Sequence, residues 1–276
     1  MSANVTSVVR EARPRSNSLR RFGLLSLNNL VMYSRNRAVM FWVIAFPIGY
    51  MLLFGAIYGT MTVDPNNPNS AKLITYMVPG IIVMSLMSNG IIGNANGMAV
   101  WRERGILRRL QATPLPAWQM LVSRILVQSM IMVGQAIILV AVSIALYGVK
   151  YEVLGLLQAL PFVILGAILF MAIGQMIAAL VGKAETVAIA CQLIYFPLLF
   201  LSGLVIPLDQ LPEGIQNIGK YLPTAMIGDL VRAPMLSGFE MGSFNATHLP
   251  MAVDLLGAVI YLIVTVFISA RFFKWD

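Results

Sequence analysis

Six long apolar runs, at about 38–58, 73–100, 119–147, 153–181, 186–206 and 251–270, are separated by polar stretches. At about 1.5 Å per residue, each is long enough as a helix to cross a hydrocarbon core of about 30 Å. Pro47 and Pro197 fall inside the first and fifth runs and predict kinks there. The second run differs from the others in carrying Gly80, Gly90, Gly93, Gly97, Asn89, Asn94 and Asn96. Small and amide residues of this kind belong against protein or a cavity, not lipid. Ahead of the first run, residues 18–37 place Leu19, Phe22, Leu24, Leu27, Leu30 and Val31 on one broad side. Arg21, Asn28 and Arg35 recur every seven residues opposite, interrupted only by Arg20 and Ser26, which predicts a helix lying in the membrane interface.

Two polar stretches stand out between the runs. Residues 101–118, drawn as a helix, put Ile106, Leu107 and Leu110 on one side and Arg104, Arg108 and Gln111 on the other, until Pro114 and Pro116 stop it. Such a helix can rest its apolar side on a partner groove while its guanidinium groups meet carboxylates or lipid phosphates. The spacing alone fits a solvated basic loop equally well. Residues 207–250 are too long and amphipathic for a plain loop. Leu211, Ile215, Ile218 and Leu222, between Pro212 and Pro223, predict a helix pressed on the outer membrane surface or partly re-entrant into it. Residues 1–17, with Arg10, Arg13, Arg15 and Pro14, read as a disordered cytoplasmic tail without a cleaved signal. The predicted architecture is an all-α, six-span membrane domain over residues 18–276.

Composition agrees with the pattern. Of 276 residues, 59% are hydrophobic and 11% charged, and the mean hydropathy is +0.82; a soluble domain of that size would leave far too much apolar surface in water. The net charge of +8 does not indicate nucleic acid, because the basic residues flank apolar runs and form no patch with interleaved aromatics. With both termini cytoplasmic, fifteen of the nineteen Lys and Arg residues fall inside, leaving Lys72, Lys150, Lys220 and Arg232 outside. That bias predicts a multi-pass protein of the cell membrane with residues 101–118 on the inner side. The lone Cys191 lies in an apolar run and reads as a small core residue.

Within the spans, Ser85, Asn89 and Asn96 share one side of the second, and Arg124, Gln128 and Gln135 repeat the same spacing on the third. Two such stripes either hydrogen-bond to each other and fix the helices, or line a wet path. Arg124 is expected to snorkel to the inner surface. The pattern Gly93-x-x-x-Gly97 favours close helix approach without identifying a partner. Catalytic constellations are missing: the single His248 has no second ligand or nucleophile beside it and reads as a solvated loop residue. Gly182-Lys183 is no phosphate loop, since Ile177 and Ala184 stand where a glycine and a hydroxyl are required. Asp254 is expected near the outer end of the last span and Glu185 at the inner surface, so neither marks an ion relay. The chain is therefore expected to be no enzyme and to hold no metal or cofactor.

The run Glu103-Arg-Gly-Ile-Leu-Arg-Arg-Leu-Gln-Ala-Thr-Pro114, after a Gly/Asn-rich second span, resembles a signature of membrane subunits of the type-two ATP-binding-cassette exporters. Leu201-Ser-Gly-Leu-Val-Ile-Pro207, Leu211-Pro212, Leu222-Pro223 and Asp229-Leu-Val-Arg232-Ala are similar to that family's fifth span and outer segment. The likeness runs from about Ser18 to the C-terminus. It implies two such subunits, identical or paralogous, paired in lipid with two cytoplasmic ATP-binding subunits that carry the ATP and magnesium. The interfacial helix with Arg21, the segment with Glu103, Arg104, Arg108, Arg109 and Gln111, and the turn at Glu185 would then contact the ATPases. Ser85, Asn89, Asn96, Gln192 and Phe196 become path candidates, and the outer helices after Pro207 would cap the exit. The implied cargo is a drug, antibiotic or lipid. Alternatives are a lipid-linked polysaccharide exporter subunit or an ATP-independent channel or scramblase.

Overall fold

The computed structural model describes residues 18–62, 71–106, 117–239 and 247–272. Among them the structure is helical, and six helices are long and apolar enough to cross a membrane. Helix α1 (Ser18–Arg35) leads through Asn36 into α2 (Arg37–Tyr58). The next span is built from α3 (Leu73–Met87), a π-helical stretch (Ser88–Gly93) and α4 (Asn94–Glu103). Then follow α5 (Ala117–Tyr147), α6 (Val153–Leu180) and α7 (Ala184–Leu201). Short α8 (Glu213–Gly219) and α9 (Pro223–Met235) precede the last span, α10 (Met251–Phe272).

The small residues of the second span decide the centre of the bundle. Every side chain from Ile74 to Met87 is buried, with α2, α5, α6 and α9 around α3. A Cβ on Gly90 would stand 2.6 Å from Phe170 Cβ, and one on Gly174 would stand 2.3 Å from the Gly90 carbonyl oxygen. The π-helical turn thus meets α6 backbone to backbone, at the point where its widened ladder leaves the i→i−4 pattern. By contrast α2, α7 and α10 turn Trp42, Phe46, Leu193, Leu256 and Phe267 outward, as spans facing lipid do.

Two boundaries differ from the sequence expectation. The second span continues through Trp101 and Arg102 to Glu103, so these residues close a span and do not open the amphipathic stretch. Helix α4 stops because Gly105 takes φ +65°, donating its N–H to the Arg102 carbonyl at 2.9 Å. The fifth span ends at Leu201, five residues short of Ile206, because Gly203 at φ +72° turns the chain while Leu204–Ile206 keep the hydropathy high.

Among its described residues the outer segment holds two α-helices. Helix α9 lies between α3, α6 and α10 with nearly every residue buried. Small residues make the slot: a Cβ on Gly166 would meet Ile227, one on Gly257 would meet Met226, and one on Gly155 would stand 2.3 Å from the Pro234 carbonyl oxygen. The shorter helix predicted from Leu211 to Leu222 appears as α8, bounded by Pro212 and the turn before Pro223.

Candidate functional site

Three constellations of polar side chains are set into this apolar frame. The first lies at the end of α4. Arg102 donates from Nη1 to the carbonyls of Val181 at 3.2 Å and Gly182 at 3.3 Å, and from Nη2 to that of Ala178. The Glu103 carboxylate accepts the Ala184 N–H at 2.8 Å. Arg102 therefore satisfies the last carbonyls of α6 and Glu103 the first amide of α7, each with the charge that the helix terminus favours. The turn at Gly182–Lys183 is fastened to the second span by two adjacent residues. Glu185 sits exposed in the first turn of α7.

The second constellation is a cavity of about 470 Å³ at the same end of the bundle. Asn29, Tyr33 and Asn36 close it from α1 and the joint to α2. Asn89, Asn96, Trp101, Arg124 and Gln128 line it from the second and third spans. Arg124 folds over the Trp101 ring, 4.4 Å from its centroid, with Nη1 2.8 Å from Met98 Sδ and Nη2 3.5 Å from the Asn94 carbonyl oxygen. It turns back over α4, where simple snorkelling along its own helix was expected. Gly97 makes that possible, since a Cβ there would stand 2.5 Å from Arg124 Nη2. One layer along, the two stripes bond directly: Asn89 Nδ2 donates to Gln135 Oε1 at 2.9 Å, and Gln135 Nε2 donates to the Val43 carbonyl at 2.6 Å. The stripes thus bond to each other at Asn89 and Gln135 and border a cavity at Asn96, Arg124 and Gln128.

The third lies around α9, at the opposite end. Arg232, with no exposed surface, donates to the Gly203 carbonyl at 2.7 Å, sits 3.7 Å from the Asp229 carboxylate and lies 4.6 Å from the Tyr76 ring centroid. His248 is not a solvated loop residue. Its backbone N–H reaches Asp229 Oδ2 at 2.8 Å, and its Nδ1 lies 2.9 Å from the same oxygen, because the chain ahead of α10 passes directly over α9. Arg232, counted outside as a loop cation, is instead a buried anchor. Asp254 at the start of α10 is also fully buried, and its carboxylate has no hydrogen-bond partner among the described residues. Among those residues no group of His, Cys, Asp or Glu is placed to hold a metal.

The expected residues are distributed unevenly over these places. Asn89 and Asn96 meet at the cavity, whereas Ser85, almost wholly buried, donates to the Ile82 carbonyl at 2.7 Å and borders only the adjoining cavity between α2 and α3. Gln192 and Phe196 lie on the exposed side of α7, opposite the buried row Val187, Cys191, Tyr195 and Leu199, and away from the cavity. Gly93 and Gly97 both border the cavity; Gly97 lies under the Arg124 side chain, whereas Gly93 has nothing within 4 Å of a Cβ position among the described residues. Glu103 and Arg104 are exposed at the end of α4. Arg108, Arg109 and Gln111 lie outside the described residues, as does the side chain of Arg21. Arg102 was missed by sequence reasoning, although an Arg-Glu pair closing a span and a Gly-Lys turn between two spans were both legible.

Six apolar helices, polar clasps at the helix ends and a polar-lined cavity between spans define a polytopic helical membrane protein. The sequence profile described as "ABC-2 type transporter" matches residues 20–236, and the chain belongs to that family. It is similar to the "Putative transport permease YvfS" of Bacillus subtilis (strain 168), with 25% identity over 70% of this chain and 77% of that protein. The "Probable multidrug ABC transporter permease YbhR" of Escherichia coli (strain K12) is 26% identical over 60% of this chain and 48% of its own length. "Nodulation protein J" of Rhizobium leguminosarum bv. viciae is 40% identical, over 30% of this chain and 32% of that protein. The chain thus spans only about half or a third of the latter two.

Proposed function

We propose that the chain is the permease subunit of an exporter that moves a hydrophobic or amphipathic molecule outward, driven by ATP hydrolysis in a separate subunit. The observation that carries this reading is the clasp at Arg102 and Glu103, within the family frame. It makes the Gly182–Glu185 turn, the end of the second span and the start of α7 a single mechanical unit. A cytoplasmic partner pressing on that unit moves the second, fourth and fifth spans together. Two copies of the chain and two copies of the ATP-binding subunit complete the assembly, with both termini on the partner's side. ATP and magnesium belong to the partner. The printed names of the relatives include multidrug transport, which supports an apolar cargo here by analogy only.

The decisive experiment is purification from native membranes in mild detergent, with identification of co-purifying proteins and an ATPase assay. A soluble ATPase that arrives with the chain and responds to apolar compounds is the expected result. A chain that arrives alone and passes ions or lipid in liposomes is a channel or scramblase instead. The coupling role has its own test: if Glu103→Ala and Arg108→Ala leave assembly and transport-coupled hydrolysis unchanged, that role is abandoned.

A further inference from the structure

Among the described residues, the wall of the cavity beside α1 carries one formal charge, that of Arg124, and no carboxylate. Among the described residues Arg124 has no ion-pair partner; its contacts are a thioether, one long bond to a carbonyl and the Trp101 ring. A guanidinium has five N–H donors, so part of its capacity is left unused by these contacts, and Arg124 borders both this cavity and a neighbouring one between α4, α6 and α10. Gln128, nine-tenths buried beside it, has its side-chain oxygen without a partner. Asn96 adds a further amide to the same wall. A half-buried guanidinium without a counter-charge beside it, its N–H donors only partly used, is poorly compensated until an anion with acceptor oxygens arrives, while the free Gln128 oxygen calls for a donor such as a hydroxyl on the same headgroup.

The cavity does not end there. A second one, of about 390 Å³, shares Val43, Asn89 and Gly93 with it and runs between α2 and α3. Its remaining wall is largely apolar, with Trp42, Phe46, Pro47, Met84 and Ile92. Trp42 and Phe46 are exposed on the outward face of α2, so the slot opens where lipid tails lie. Gly93 stands at the junction with open space where a Cβ would be. A charged, amide-lined chamber joined to an apolar slot has the shape and chemistry of an amphiphile: an anionic head against the Arg124 guanidinium and the Asn96 amide, and an alkyl tail along α2.

We propose that these joined cavities seat the transported molecule, and that this molecule is an amphiphile with an anionic headgroup bearing phosphate, sulfate or carboxylate oxygens. The assignment of substrate class rests on the exporter reading above, whereas the binding site stands on its own geometry.

The test uses the full chain with its ATP-binding partner in phosphatidylcholine nanodiscs and radiolabelled dodecyl phosphate as probe. Dodecanol and dodecyltrimethylammonium are the charge controls. Saturable binding of dodecyl phosphate, at least about tenfold tighter than either control, is the expected result. Arg124→Gln is expected to remove that preference, Arg124→Lys to keep part of it, and Gly93→Phe to block the probe by closing the junction. Equal affinity for all three amphiphiles overturns the proposal without needing a variant. So does competition by inorganic phosphate at the concentration of the probe, which would make the chamber a site for free anions. ATPase rates separate the two layers of inference. Hydrolysis stimulated by dodecanol but not by dodecyl phosphate leaves the exporter standing and removes the anionic substrate. Arg124-dependent binding that never alters hydrolysis makes the site a resident-lipid site and equally overturns the substrate assignment. Binding to a chain that brings no ATPase leaves the site and removes the exporter.

Discussion

Arg102 and Glu103, one peptide bond apart, hold the facing ends of two consecutive helices: the guanidinium takes the last carbonyls of α6 and the carboxylate takes the Ala184 N–H of α7 at 2.8 Å. Opposite charges on neighbouring residues are needed because the two helix ends carry partial charges of opposite sign. Arg102→Ala is expected to cost about 1.5–3 kcal/mol, the range for hydrogen bonds from a charged group. Glu103→Ala removes a single exposed cap and is expected to cost on the order of 1 kcal/mol. Thermal melting in detergent ranks the two, and hydrogen exchange gives the sharper reading. The Ala184 amide should lose protection in Glu103→Ala and keep it in Glu103→Gln. Unchanged protection in the alanine variant would mean that the bond does not hold α7.

At the opposite end, two buried acids are predicted to behave oppositely. Asp229 faces Arg232 and accepts from the His248 backbone. Asp229→Asn leaves a buried guanidinium without its counter-charge, which is expected to cost about 3–5 kcal/mol. Asp254 has no hydrogen-bond partner among the described residues, so Asp254→Asn removes an uncompensated group and should leave the melting temperature unchanged or raise it. A larger drop for Asp254→Asn than for Asp229→Asn would show that the partners are assigned the wrong way round.

Glycines three residues apart in the second span also separate. Gly90→Ala would push a Cβ to 2.6 Å from Phe170 Cβ and 2.9 Å from the Met171 backbone nitrogen. Backbone cannot yield cheaply, so overpacking of about 1–3 kcal/mol is expected. Gly93 has nothing within 4 Å of that position, and Gly93→Ala should fall within about 0.5 kcal/mol of the parent. Equal destabilisation of both would place a helix against Gly93 that the chain itself does not supply, such as one from a second copy.

The spans were legible in the sequence because hydropathy over twenty residues is a strong signal and needs no tertiary partner. Their ends were less so: Gly203 ends α7 inside an apolar run, and the second span runs past Val100 until Gly105 stops it. Hydropathy does not register a single left-handed residue. The stripes on the second and third spans were readable from spacing, since i, i+4 and i+11 fall on one side of any helix. Which amide would bond and which would face a cavity was not, because that depends on the distance between two helices. The cluster on α9 was hidden for a similar reason. Asp229 and Arg232 look like loop charges until small residues on α6 and α10 are seen to admit α9 into the bundle. His248, nineteen residues from Asp229, offers no local signal at all.

Two of the three amides of the second span, Asn89 and Asn96, give the last separation, between holding helices together and handling cargo. Asn89 bonds Gln135 at 2.9 Å across the span interface, while no hydrogen bond is seen for Asn96 at the cavity wall among the described residues. Asn89→Leu should therefore lower stability by about 0.6–2 kcal/mol, and a double-mutant cycle with Gln135→Leu should return most of that as coupling energy. Asn96→Leu should leave melting nearly unchanged, because no bond is lost and an apolar side chain replaces a solvated one. Its effect should instead appear in transport-coupled hydrolysis, with weaker stimulation at a given cargo concentration. A cycle with no coupling between residues 89 and 135 would remove the packing role of Asn89, and an Asn96→Leu variant that melts early but transports normally would exchange the two assignments.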